Sequence, residues 1–86
     1  YILSNKSYEN TYKVGWTSML PEERADQLSS ETGVLYPFKV VYKKKFKDAE
    51  KNEKKIHKNF NKYRVKRNKE YFEINLDELK DYIDSI

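Results

Sequence analysis

Four short stretches of the chain have the composition of β-strands, and apolar residues recur at every second position in the clearest of them, residues 38–46. The other three stretches cover residues 1–5, 11–17 and 71–74. Turn-like residues at 6–10 separate the first two stretches. We therefore predict that these two strands pair as an antiparallel hairpin.

Three further stretches predict helices. Pro21 suits the first turn of a helix over residues 21–31, because the missing N–H needs no partner there. Asp48 can cap a helix over residues 48–62, and Asn75 opens a last helix with the spacing of a capping box. The apolar face of that last helix consists of Leu76, Leu79, Tyr82, Ile83 and Ile86. The order β-β-α-β-α-β-α predicts an α+β fold, with helices packed on a small antiparallel sheet.

Length and composition indicate one globular domain over residues 1–86. Only 37% of the residues are apolar, but 15% are aromatic, and a few large rings can fill a small core. The sequence has no cysteine and no apolar run long enough to span a bilayer, so we expect a cytoplasmic protein with no membrane partner. Because the chain does not begin with Met, we expect it to be trimmed from a longer protein whose other domains are further partners.

Glu53 occupies an unusual place on the second predicted helix. At about 100° per residue, Ile56 and Phe60 share an apolar arc, and Glu53 lies only about 50° from its centre. A carboxylate there is costly unless it is paired or holds a metal ion. His57, the only histidine, lies one turn further on the same patch. The alternative interpretation is a Glu53 side chain that reaches solvent and pairs with a nearby lysine.

Lys13 and Gly15 point to one face of the second predicted strand, whereas Tyr12, Val14 and Trp16 point to the other. A glycine within a strand indicates either a close approach by another group or a β-bulge. Tyr1, Lys13, Gly15 and Arg24 all belong to the hairpin and the helix that follows it. From spacing alone, Arg24 is either a surface cation paired with a carboxylate or a bidentate phosphate contact.

The net charge is +4 and the sequence pI is about 9.2, which favours a polyanionic partner. Basic residues are interleaved with aromatic ones between residues 58 and 71, and this pattern favours nucleic acid. The residues that we predict to bind nucleic acid there are Arg64, Lys66, Arg67 and Glu70. The alternative is a lysine-rich solvent surface, since Lys43 to Lys45 are equally basic.

The ordered set of these features resembles the GIY-YIG nuclease superfamily, and most closely the group of phage T-five open reading frame 172 and meiotically up-regulated gene 113 domains. The resemblance covers nearly the whole chain to about residue 76. The matching stretches are residues 1–5, Lys13 to Thr17, Pro21 to Arg24, residues 28–33, Pro37-Phe38, Asp48 to Glu50 with Glu53 and His57, Tyr63-Arg64 and Glu70 to Phe72.

The resemblance implies a three-stranded antiparallel sheet flanked by helices and a bacterial or phage-encoded protein. It implies that Tyr1 and Arg24 act on the phosphate and its attacking water, and that Glu53 is the metal ligand. His57, Arg64 and Glu70 look like additions of this group that complete or border the site. The predicted catalytic residues are Tyr1, Lys13, Arg24, Glu53 and His57.

The function that follows is that of a DNA-binding endonuclease domain, which hydrolyses phosphodiester bonds with one Mg²⁺ or Mn²⁺ ion on Glu53. In this interpretation the charge of Lys13 lowers the pKa of Tyr1. The alternative is a catalytically inactive DNA-binding module on the same fold. Lys13 favours that alternative, because it replaces the tyrosine of the second signature.

Overall fold

The computed structural model describes residues 1–65 and 70–86. Within these ranges the chain forms four strands and three α-helices in the predicted order, with one 3-10 turn, Asn61–Tyr63, after the second helix. The strands are β1 (Ile2–Asn5), β2 (Thr11–Val14), β3 (Phe38–Tyr42) and β4 (Tyr71–Glu73). The helices are α1 (Pro21–Ser29), α2 (Ala49–Asn59) and α3 (Leu76–Ser85).

The strands form one antiparallel sheet in the order β3-β1-β2-β4. The predicted hairpin is confirmed, with Ile2 opposite Val14 and Leu3 opposite Lys13. The expectation of a three-stranded sheet is wrong, because β4 pairs with β2 as a fourth strand. This pairing satisfies the backbone groups of β2 and buries Phe72 completely.

Helices cover both faces of the sheet. Leu3 packs with Ala25 and Leu28 of α1 on one face. On the other face, α2 and α3 form the larger core, and the predicted packing of Ile56 and Phe60 against the sheet is confirmed. The buried members of this core are Ile2, Val14, Ile56, Phe60, Phe72, Ile74, Leu79 and Ile83.

The observed first residues of the helices agree with the predicted ones more closely than the observed last residues do. The Asp48 carboxylate accepts a hydrogen bond from the Lys51 backbone at 3.2 Å, and Asn75 caps α3 through the Asp77 backbone at 2.8 Å. The second helix ends at Asn59 rather than residue 62, because the backbone leaves helical geometry at Phe60 and continues as a 3-10 turn. The first helix likewise ends at Ser29 rather than at residue 31.

Two predicted strands are shorter in the structure. β3 ends at Tyr42 rather than at residue 46. β2 ends at Val14, since the chain turns away from the sheet after Gly15 and reaches α1 at Pro21. Trp16, which we predict to point the same way as Val14 within the strand, lies beyond the end of β2, and its exposed fraction is 42%.

Among the residues that the structure describes, no helix is both long and apolar enough to cross a membrane.

Candidate active site at the open end of the hairpin

The first backbone pair of the hairpin joins Tyr1 and Gly15. The Tyr1 nitrogen donates to the Gly15 carbonyl at 2.8 Å, and the Gly15 nitrogen donates to the Tyr1 carbonyl at 3.1 Å. Side chains of such a pair lie on the same face of the sheet. A Cβ atom at Gly15 would lie only 2.5 Å from Tyr1 Oη. Of the two interpretations of this glycine, the structure supports a close approach, and the approaching group is the Tyr1 ring.

Arg24 lies beside the Tyr1 phenol. It comes from the first turns of α1 and is half-buried, and its Nη1 also donates to Gln27 Oε1 at 3.2 Å. Burial raises the pKa of Tyr1, whereas hydrogen bonding and positive charge from Arg24 lower it. The net direction is upward, opposite to the one we expect from the sequence. Arg24, rather than Lys13, supplies the positive charge that acts on Tyr1, and the phenol is neutral at neutral pH.

The second helix supplies Glu53 and His57 to the same end of the sheet. Their side chains are largely buried, with exposed fractions of 16% and 12%. Burial raises the pKa of Glu53, the charge of Glu70 raises it further, and His57 and a backbone hydrogen bond from Trp16 lower it. Among residues 1–65 and 70–86, the ionic neighbour of Glu53 is His57 rather than a lysine, with 3.9 Å between Glu53 Oε1 and His57 Nδ1.

The tautomer of His57 follows from its backbone partner. His57 Nε2 lies 2.8 Å from the Val14 carbonyl oxygen. Since a carbonyl can only accept, Nε2 carries the proton, and in the neutral ring Nδ1 carries the lone pair. The distance of 3.9 Å from Nδ1 to Glu53 Oε1 is too long for a direct hydrogen bond. The pair can therefore hold a water molecule or a cation between the two side chains.

Lys13 is buried on the face of the sheet that α1 covers, with an exposed fraction of 6%. Its ammonium forms an ion pair with the carboxylate of Glu70 and lies 5.2 Å from the centre of the Tyr71 ring. A buried ammonium needs such a partner, because removal from water otherwise favours its neutral form. Glu70, which we expect from the sequence to bind nucleic acid, is therefore a partner of Lys13. A lysine on a covered strand face was the signal for this pairing, but the sequence does not show that β4 lies next to β2.

Arg64 stacks on the ring of Phe72, on the face of the sheet opposite to that of Lys13. Its guanidinium lies 5.4 Å from the centre of the Phe72 ring, and the same ring lies 5.0 Å from that of His57. Arg64 and His57 therefore both lie against the ring of Phe72. The predicted nucleic-acid contacts Lys66 and Arg67 lie outside the described residues.

The site residues converge on one end of the sheet but do not all open onto one cavity. The charges of Arg24, Glu53 and Glu70 all act on the Tyr1 phenol. Tyr1 lines a cavity of about 400 Å³ with Trp16 and Phe46, which the sequence did not indicate. Lys13 and Glu70 line a different cavity, of about 560 Å³.

The residues present fit a lightly ligated divalent cation. No group of three or more His, Cys, Asp or Glu side chains within residues 1–65 and 70–86 could hold a metal ion. Mg²⁺ commonly binds through one or two carboxylates and keeps several waters. The buried Glu53 carboxylate, whose raised pKa reflects charge that is incompletely compensated, suits such an ion.

Comparison with known families identifies the family of this chain. The family model described as the T5orf172 domain matches residues 1–86. Comparisons with curated proteins and with solved structures give no match. The matching family is one of nuclease-like, DNA-binding domains. The chain belongs to the T5orf172 domain family.

Proposed function

We propose that this domain is a GIY-YIG-type endonuclease that binds DNA and hydrolyses its phosphodiester bonds with one Mg²⁺ or Mn²⁺ ion. The observation that carries the proposal is the largely buried Glu53 carboxylate with its raised pKa, at the end of the sheet that also holds Tyr1 and Arg24. A carboxylate in this environment gains from a bound cation, and a phosphate gains from the adjacent guanidinium.

Each side chain then has a distinct part in the reaction. Glu53 holds the divalent ion, which supplies positive charge to the phosphate oxygens. Arg24 binds the phosphate and stabilises the charge that grows on it in the transition state. The neutral Tyr1 phenol donates a hydrogen bond and orients the phosphate or the attacking water.

His57 is better placed than Tyr1 to accept a proton. Burial raises the pKa of Tyr1, so its phenol holds the proton more tightly than a free tyrosine does. His57 has its Nε2 proton fixed by the Val14 carbonyl, so Nδ1 can accept a proton from a water molecule next to Glu53. Lys13 acts on the site indirectly, because its ammonium is held by Glu70.

A DNA-binding module without cleavage is the second candidate. The ion pair between Lys13 and Glu70 favours it, because this pair holds a buried ammonium at the position of the second-signature tyrosine. Such a module would keep the cationic surface and dispense with the metal.

Incubation of plasmid DNA with Mg²⁺ or Mn²⁺ distinguishes the two candidates. We expect the wild type to nick the plasmid, Glu53→Gln to lose this activity and the variant Glu50→Gln to keep it. Glu50 is the matched control, because it is exposed on the same helix and pairs with Lys54 at 3.8 Å. Cleavage by Glu53→Gln at the wild-type rate, with metal still required, would refute the role of Glu53. Metal-independent DNA binding without any cleavage would support the second candidate.

A further inference from the structure

An apolar cavity opens beside the candidate active site. It has a volume of about 400 Å³, and Tyr1 forms part of its wall. Trp16, Met19 and Leu20 line it while remaining exposed to solvent. Exposed apolar side chains that surround a single cavity are uncommon on a protein without a ligand or partner there.

Two lysines line this apolar cavity. Lys44 and Lys45 belong to its lining. Phe46 is shared with a second, open groove of about 730 Å³ along α2. The lysines that line this second groove are Lys47, Lys51, Lys54, Lys55 and Lys58. An apolar cavity that continues into a cationic groove is complementary to a ligand with a flat apolar part and a chain of negative charges.

We propose that the cavity beside Trp16 binds an unpaired nucleobase and that the backbone of the same strand follows the lysine groove along α2. Binding of the base rests on the proposed function only in taking nucleic acid as the ligand, whereas the position of that base relative to the cleaved phosphate rests on the proposed cleavage as well. Base stacking on an aromatic side chain is tolerant of sequence, and the lysines of the groove contact phosphates.

The position of Trp16 relates this cavity to the reaction. Its side chain shares the cavity wall with Tyr1, one of the candidate catalytic residues. A base in the cavity therefore belongs to a nucleotide next to the phosphate that is cleaved. A base inside a duplex is stacked and paired, so it can enter only at the cost of unstacking and unpairing, which an unpaired base does not pay. The preferred substrate class is then DNA with an unpaired segment at the cleavage site.

A protein segment is a poorer occupant than a nucleobase. An apolar peptide would cover Trp16 and Leu20 but would supply no negative charge to the adjoining lysines. A nucleic-acid strand satisfies both surfaces at once. We therefore argue for the nucleic acid and treat the protein partner as an outcome of the test.

The fluorescence of Trp16 reports directly on this cavity, since it is the only tryptophan in the chain. The probes are an oligothymidylate of about 12 nucleotides, within the usual range for one binding module, an abasic strand of equal length and a blunt duplex. A chelator is present to prevent cleavage. We expect the oligothymidylate to quench the fluorescence, and the abasic strand and the duplex to bind without quenching. Equal quenching by all three probes, or none by the oligothymidylate while it binds, would overturn the inference and leave a protein partner as the occupant.

Affinity measured by anisotropy of a labelled strand provides a second test. Loss of one base stack weakens binding by roughly 5- to 150-fold, so we expect Trp16→Ala to weaken oligothymidylate binding within this range and Trp16→Phe to restore most of it. Tyr36→Ala is the matched control, because Tyr36 is an equally exposed aromatic at 44% and lies under Lys6, near the opposite end of β1. Equal loss in Trp16→Ala and Tyr36→Ala would contradict the assignment.

The lysine groove is tested by the salt dependence of binding. Replacing Lys51 and Lys55 with alanine should reduce the slope of log affinity against log salt by about 0.7 per lysine for a single strand. Alanine keeps the helix, so folding is preserved. The matched control replaces Lys6 and Lys39, which line a separate cavity. If both pairs lower the slope equally, the strand does not follow α2.

Discussion

A methyl group added at Gly15 tests the contact between the hairpin and Tyr1. A Cβ atom there would lie 2.5 Å from Tyr1 Oη and 2.7 Å from Tyr1 Cζ. Nonbonded heavy atoms attract at about 3.5–4.0 Å, so the Tyr1 ring must move by roughly 1 Å in the Gly15→Ala variant. The backbone of Gly15 accepts alanine, because the glycine with a positive φ is Gly33.

The free energy of unfolding contains two opposing contributions in this variant. Overpacking costs about 1–3 kcal/mol, and alanine in a strand gains about 0.5–1 kcal/mol over glycine. Because the Tyr1 ring is half-buried and borders a cavity, we expect a cost near 1 kcal/mol. The two contributions nearly cancel, so Gly15→Ala alone changes stability little.

A double-mutant cycle with Tyr1→Ala separates the two contributions. In the Tyr1→Ala background the clash is gone, and we expect Gly15→Ala to stabilise the domain by about 0.5–1 kcal/mol. The melting temperature would then rise by about 2–8 °C, since 1 kcal/mol corresponds to about 4–8 °C in a domain of this size. The control is Gly33→Ala, where the φ of +90° opposes alanine and no heavy atom lies within 4 Å of the added Cβ. We expect it to destabilise both backgrounds equally.

Activity provides an independent measure of the same displacement. If Tyr1 orients the reacting groups, a shift of about 1 Å costs roughly 100-fold in cleavage rate, although the domain stays folded. An equal effect of Gly15→Ala on unfolding in the wild-type and Tyr1→Ala backgrounds would refute the reasoning. It would mean that the Tyr1 ring does not rest on Gly15.

Three further predictions concern charged and titrating groups. Burial raises the pKa of Glu53 in the fold, so its stabilising contribution exists at low pH and is lost as pH rises through the carboxyl range. Thermal melts should therefore show the Glu53→Gln variant gaining stability relative to the wild type from about pH 4 to pH 7. Burial raises the pKa of Tyr71 to about 12, so the domain should lose stability above about pH 10, the ordinary tyrosine pKa. The Tyr71→Phe variant should lose less stability over the same range. Thermal melts at alkaline pH and phenolate absorbance measure the two effects. Glu70→Ala should destabilise the domain by about 1–3 kcal/mol in urea unfolding, because it leaves the Lys13 ammonium buried without its partner. Adding Lys13→Met should restore most of the lost stability. If Lys13→Met restores none of it, the loss of the ion pair is not the cause.

At the candidate site, some predictions from the sequence agree with the structure and others do not. Glu53 and His57 are four residues apart on one helix, and helical geometry alone predicted that they share a patch, as the structure has it. The pKa of Tyr1 was expected to fall because of Lys13, but it rises. Burial outweighs nearby charge here, and burial depends on the packing of α1, which spacing along the chain does not contain.

The sequence alone determined the local elements, because caps, turns and apolar periods act within a few residues of the chain. Asp48 and Asn75 begin their helices where the sequence predicts, and the hairpin pairs as its pattern indicates. Only the tertiary structure decided which distant groups meet. β4 joins the sheet beside β2, which brings Glu70 to Lys13, and the chain leaves the sheet after Gly15, which opens the cavity at Trp16. Such contacts depend on the closure of long loops around a shared core, and many pairings satisfy the same local patterns until that core forms.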